Sequence, residues 1–183
     1  MRIEKLRQEW DIEVRIAHFP LHPNTPSEGL TLEQLFLGRG IDIPAALARM
    51  KRLMAEEQLP YGNRTMTYNS RLAQELACYA MTQQDGWQIH DRLFRAYFVD
   101  GINIASIEDL VAIATDIGLD AQECRKVLTL RTFRSSVDAD WERSRQLGLT
   151  GVPAFVLGNS GLSGAHPYET LSQLVALSGA QRL

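Results

Sequence analysis

The sequence predicts an α/β domain interrupted by a long helical insertion. Three observations carry that expectation. Within the first twenty residues the apolar pattern changes from a helical period to alternation. Between Thr31 and Leu147 every sustained pattern is helical. After Gly148 the period drops to two again for one short hairpin, and a last helix follows.

The chain opens with Ile3, Leu6 and Trp10 at helical spacing among charges, which predicts a first helix. Ile12, Val14, Ile16 and His18 then alternate with Glu13, Arg15, Ala17 and Phe19, the period of a strand. Pro20, Pro23 and Pro26 stop it and mark a loop as far as Gly29. Thr31 with Gln34 fits a capping box, and Gly38 and Gly40 close that short segment. Pro44 suits the first turn of the next helix, whose buried stripe is expected at Ala46, Leu47, Met50, Leu53 and Met54. After a loop at residues 60–63, Asn69 or Ser70 caps a helix bearing Leu72, Ala73, Leu76, Ala77 and Ala80.

Trp87, Leu93, Phe94, Tyr97 and Phe98 mark a further helix and are expected to form the aromatic heart of the helical layer. Ser106 with Asp109, and Asp120 with Glu123, cap two more helices, the first stopped by Gly118. Phe133, Val137, Trp141, Ser144 and Leu147 trace a longer one. Residues 154–157 read as a short apolar strand, 158–161 as a tight connection and 162–164 as its return strand. Pro167 opens the last helix, with Leu171, Leu174 and Val175 inside.

At 183 residues the chain has the length of one domain with an insertion. Its 45% hydrophobic and 22% charged content excludes a disordered or fibrous chain. Nineteen basic against 22 acidic residues leave a formal charge of −3, no field to hold a phosphate backbone, so no nucleic-acid partner is expected. No apolar run approaches the ~20 residues that cross a bilayer, and the start lacks the unbroken apolar core of a secretion signal. A soluble cytoplasmic protein without a membrane partner is the expectation. The two cysteines, Cys78 and Cys124, are too few for a disulfide framework and too far apart for a Cys-x-x-Cys centre, which fits a reducing compartment.

Candidate sites are few. His18 and His22 straddle a strand end and a proline, and no carboxylate lies at ligand spacing, so no metal site is expected. His90 reads as a half-buried packing residue and His166 as a residue of a helix start. Residues 158–161 lack the Lys and following helix of a phosphate loop, and Ser163 lacks the glycine of a nucleophile elbow, so no cofactor is implied. Cys78 shares a helix face with Arg71, Gln74 and Met81. A neighbouring guanidinium favours a thiolate, which makes Cys78 the candidate reactive thiol, set against the plainer reading of an inert packed cysteine. Cys124, beside Val127 and Leu128, reads as core.

Several stretches in order resemble one family: Phe19-Pro20-Leu21-His22-Pro23, Phe94-Arg95-Ala96-Tyr97-Phe98, Gly118-Leu119-Asp120, Thr150-Gly151-Val152-Pro153-Ala154-Phe155-Val156 and Ser163-Gly164-Ala165-His166-Pro167-Tyr168. Together they resemble the DsbA family in its cytoplasmic, FrnE-like branch. The resemblance implies a thioredoxin-like fold with an inserted α-helical domain: residues 1–30 and 148–183 form the thioredoxin-like part and 31–147 the insertion. It also implies thiol–disulfide oxidoreductase or isomerase chemistry on protein or peptide thiols and disulfides. Thr150, Gly151, Val152 and Pro153 would form the substrate-binding loop, with a cis peptide before Pro153.

The departure from the family is equally specific. Its first strand and its Cys-x-x-Cys precede a helix resembling Arg2-Ile3-Glu4-Lys5-Leu6, where this chain begins, so the first β-strand, the motif and the nucleophile are absent from it. Gln74 stands after Ala73 where the family tends to have His, and His166 stands where Gln is more usual. The expectation is a chain without catalytic residues for the family mechanism, truncated at its N-terminus or given a misassigned start. Alternatives are a non-redox peptide- or client-binding protein, and a glutathione-binding relative of kappa-class transferases and hydroxychromene carboxylate isomerases. The missing strand would leave both neighbours unpaired, to be resolved by closing together or by a swapped or edge-paired homodimer.

Overall fold

The computed structural model describes residues 2–183. In chain order the elements are α1 (Arg2–Glu9), β1 (Leu30–Thr31), α2 (Leu32–Leu35), α3 (Ile43–Glu56), β2 (Met66–Thr67), α4 (Arg71–Ala80), α5 (Gln88–Phe98), α6 (Ile107–Thr115), α7 (Ala121–Leu130), α8 (Arg134–Gln146), β3 (Ala154–Leu157), β4 (Ser160–Ser163) and α9 (Tyr168–Leu177). Met1, at the head of the first predicted helix, lies outside the described residues. The chain divides into two compact units: His22–Ala139, and the N-terminal residues through Leu21 with Asp140–Leu183.

The His22–Ala139 unit is helical apart from the two-residue ladder of β1 with β2, which pairs Leu30 with Thr67 and Thr31 with Met66. Its core joins α4, α5, α6 and α7 through Leu76, Ala80, Ile89, Ala96, Leu110, Ile113, Cys124 and Leu128. Local chemistry sets the helix starts. The Thr31 hydroxyl accepts from the Gln34 amide while the Gln34 side chain accepts from the Thr31 amide, a reciprocal box. Asp42, Ser106 and Asp120 each accept from the amide three residues on. At α4 the N-cap Ser70 side chain accepts from the Gln74 side chain and caps no amide; Asn69 instead accepts from the Arg71 amide at 2.9 Å.

Two expectations for this unit are corrected. The stripe Ala46, Leu47, Met50, Leu53, Met54 is not buried: α3 has no buried residue, and Met50 and Leu53 are 44% and 41% exposed. Amphipathic spacing makes a helix one-sided but supplies no surface to cover that side. The aromatic side chains of α5 do not form its heart either: Phe94 is 63% exposed, while Tyr97, with Leu93, packs half-buried against the core from outside. The small residue Ala96 and the aliphatic Ile89 face inward instead, because α5 packs closely on α4 and α6.

The other unit holds α1, β3, β4 and α9 around Leu6, Leu171 and Val175, with Ile3, Trp10, Ile12, Phe155, Leu157 and Leu162 packed against them. β3 and β4 form a hairpin in the register Ala154↔Ser163 to Leu157↔Ser160, joined by the two-residue turn Gly158-Asn159. The return strand therefore starts at Ser160, earlier than the composition suggests. Gly158 has a φ of +57°, the left-handed region that this turn needs and glycine tolerates. The C-terminus is tied to α1: Asp11 N–H donates to the Gln181 carbonyl, Leu183 N–H donates to that of Glu9, and the Tyr168 hydroxyl donates to the Glu9 carboxylate at 2.7 Å.

The strand expected over residues 12–19 is not formed. The alternation holds in the packing from Ile12 to Arg15 and fails at Ile16, which is 38% exposed; a strand exists only through a ladder, and among the described residues this segment forms none. It does not close onto β3.

Candidate functional site

The site of interest lies within the second of these units. Residues 13–19 form one wall, the C-terminal half of α8 a second, and the segment from Leu149 through β3 a third, around a groove of about 240 Å³. Ala17, Phe19, Leu147, Leu149, Val152, Ala154 and Val156 supply its apolar lining, and Glu13, Arg15, Asp140 and Arg143 its charges. On α8, Asp140, Arg143, Ser144 and Leu147 recur at three- and four-residue spacing and so share one helix face.

The backbone of both long walls is open. The Gly164 amide donates to the Pro153 carbonyl at 2.8 Å, which makes Ala154↔Ser163 a non-hydrogen-bonded pair in the hairpin. Alternation then turns the N–H and C=O of Ala154 and Val156 away from β4. Among the described residues, neither makes a backbone hydrogen bond to another segment. Across the groove, the backbone of residues 13–17 likewise joins no ladder among the described residues. Asp140, 6% exposed, pins the end of that wall: its carboxylate accepts from the His18 amide at 3.0 Å and from Arg15 at 3.3 Å. Sequence reasoning missed Asp140. Its position on one face with Ser144 and Leu147 is a signal, but its partners lie more than 120 residues away.

The loop Thr150, Gly151, Val152, Pro153 leads into β3, and the Val152–Pro153 peptide is cis. Of these four only Val152 lines the groove, 52% exposed. His166 Nε2 donates to the Ser163 carbonyl, 3.0 Å away, and the His166 carbonyl accepts from Arg2 at 2.8 Å, so it joins the helix start to α1.

The cysteines lie in the helical unit. Cys78, on α4, is half-buried; Cys124, on α7, is fully buried, and neither is in a disulfide. Burial, then the nearby Asp120 and Glu123, push the Cys124 thiol up, away from the reactive thiolate. The guanidinium expected to activate Cys78 is engaged elsewhere. Arg71 donates to Glu75 at 2.7 Å and to Asp138 at 2.7 Å. Glu75, with no exposed surface, also accepts twice from Arg131 at 2.7 Å. Burial alone would raise the Glu75 carboxyl, but hydrogen bonds and charge from Arg131 and Arg71 outweigh it and hold it below the usual carboxylate range. No group of three or more His, Cys, Asp or Glu among the described residues could hold a metal ion. No helix among them is long and apolar enough to cross a membrane.

An open-edged hairpin, a cis proline at its entry and a helical unit between its halves define a thioredoxin-like protein, largely helical with few short strands. The chain belongs to the family of DSBA-like thioredoxin domains, whose model matches residues 1–176. It is similar to a probable DsbA oxidoreductase of Streptomyces coelicolor, at 29% identity and a TM-score of 0.85, over 97% of this chain and 82% of that one. A 2-hydroxychromene-2-carboxylate isomerase shares the fold at a TM-score of 0.72 and 19% identity, over 97% of this chain and 85% of that one. The uncharacterized protein YwbO of Bacillus subtilis is 30% identical over 102 residues, 54% of this chain. The match spans about half of YwbO, 50% of its length.

Proposed function

We propose that the protein acts on extended polypeptides within the thiol–disulfide chemistry of the DsbA family, and that these residues supply the surface that holds the polypeptide. The observation that carries this reading is the groove whose two long walls, residues 13–17 and the outer edge of β3, have no backbone ladder partner among the described residues. A segment entering it in extended form gains main-chain hydrogen bonds from the walls and places alternate side chains against Ala17, Leu147, Val152 and Val156. The groove stands where the first strand of a thioredoxin-like fold would pair on both sides, and Thr150 to Pro153 lead into it. Family membership over residues 1–176 supports the same chemistry.

A second reading, polypeptide binding with no redox step, is favoured by the absence of a Cys-x-x-Cys from the 183 residues. Cys78 and Cys124 are both free thiols and lie on different helices, not in one motif. Two assays on the chain separate the readings. Titration with acetyl-Val-Thr-Val-Thr-Val-amide should give saturable binding that is lost when the peptide's alternate amides are N-methylated. Equal binding of the methylated peptide would rule out strand addition. Insulin disulfides should stay intact, with Cys78→Ser indistinguishable from the parent; Cys78-dependent reduction would place the chemistry in the helical unit.

A further inference from the structure

The helical unit carries a second surface that the groove does not explain. Phe94 and Phe98, one turn apart on α5, lie nearly parallel at 6.0 Å with an interplanar angle of 19°. Tyr61 continues the row, 6.3 Å from Phe98 at 27°. Tyr97 meets Phe98 edge-on at 4.7 Å. The row ends in the open, since Phe94 is 63% exposed.

A cation is fixed beside these rings. The Arg64 guanidinium sits 4.9 Å from the Tyr97 ring and 5.7 Å from that of Phe98. It donates to the Tyr97 hydroxyl at 2.6 Å and to the Met66 carbonyl at 3.0 Å. No carboxylate pairs with it among the described residues. The nearby acids of α5 and its C-terminal end are taken, Asp91 by Arg95 and Asp100 by Arg92. In a chain of net charge −3, Arg64 is a cation held against an exposed aromatic face with no carboxylate beside it among the described residues. Fixed guanidinium beside stacked rings suits a carboxylate next to an aromatic side chain, which satisfies the charge and extends the row at once.

We propose that the row Phe94, Phe98 and Tyr61, with Arg64, is a docking platform for an acidic polypeptide segment that carries an aromatic side chain. It is independent of the groove and of the reading placed on the groove. Charge complementarity selects this occupant over an apolar one: a second apolar face would leave Arg64 uncompensated.

The test titrates the full chain with acetyl-Asp-Phe-Asp-Phe-amide, followed by amide chemical shifts and calorimetry. Controls are acetyl-Asn-Phe-Asn-Phe-amide and acetyl-Asp-Ala-Asp-Ala-amide. The platform predicts saturable binding of the first peptide, shifts centred on residues 61–64 and 94–98, and affinity that falls with added salt. Phe94→Ala, an exposed change that spares the core, should weaken it about tenfold, and Arg64→Gln should weaken it as well. Equal binding of the Asn peptide, no effect of Phe94→Ala, or shifts confined to β3 would overturn the proposal. So would a concentration-dependent dimer of the free chain that Phe94→Ala dissolves, because the face would then belong to a second copy.

Discussion

The two units answer the same physical demand differently. In His22–Ala139 the helices satisfy their own backbones, so the chain needs only side-chain packing to close, and Leu76, Leu110 and Leu128 have no exposed surface. In the other unit the backbone depends on neighbours. Among the described residues, residues 13–17 and the outer edge of β3 join no ladder there, and of its apolar cluster Leu6, Leu171 and Val175 are the buried members. Closure is thus local in one unit and, in the proposed reading, comes from an incoming strand in the other. A closed unit holds its shape alone, whereas an open-edged one is suited to receiving a polypeptide.

The contrast can be broken most forcefully at the closed unit. Leu76→Ala removes a side chain from the centre of the helical core and should cost about 3 kcal/mol in denaturant unfolding. Glu75→Ala comes next, at about 2–3 kcal/mol. It leaves Arg71 and Arg131 without their shared carboxylate, and their partial exposure to water softens the loss. The pH dependence has a definite sign. The folded-state carboxyl of Glu75 lies below its unfolded value, so its stabilising contribution is present above the ordinary carboxylate range and lost as pH falls through the lowered value. The Glu75→Gln variant should therefore lose less stability on acidification than the parent. An unchanged acid-unfolding slope would remove Glu75 from the account.

The open unit should respond in the opposite manner. Val156→Lys places a charge on the free edge of β3, where Val156 is already 39% exposed. Stability should move by under about 0.5 kcal/mol, while binding of the Val-Thr peptide falls at least tenfold, roughly. A large stability loss with intact binding would mean that β3 is part of a closed core. The smallest effect belongs to Cys78→Ser, for which neither stability nor insulin reduction should change measurably.

How far the sequence discloses this arrangement depends on the range of the interaction. Caps at Thr31, Ser106 and Asp120 were legible because their partners lie three residues away. The hairpin of β3 and β4 was legible for the same reason, a turn and two short alternations in one stretch. The stripe of α3 was legible as amphipathic but not as exposed, since covering it depends on a distant surface. Glu75 was illegible: a glutamate in a helix reads as solvated, and the partner that makes its burial tolerable, Arg131, is 56 residues away. The failed strand at 12–19 shows the same limit. Its alternation divides the side chains only as far as Arg15, and pairing is a property of two segments. The groove itself, built from three separate stretches, left no signature beyond the loop at residues 150–153.

Amide hydrogen exchange at Ala154 and Val156, with and without saturating acetyl-Val-Thr-Val-Thr-Val-amide, tests the central claim most directly. The account predicts fast exchange at both amides in the free chain, while Leu76 and Leu110 exchange only on global unfolding. With peptide, Ala154 and Val156 should slow by about a hundredfold as they enter a new ladder. Strong protection of these amides in the free chain, or none at saturating peptide, would contradict it.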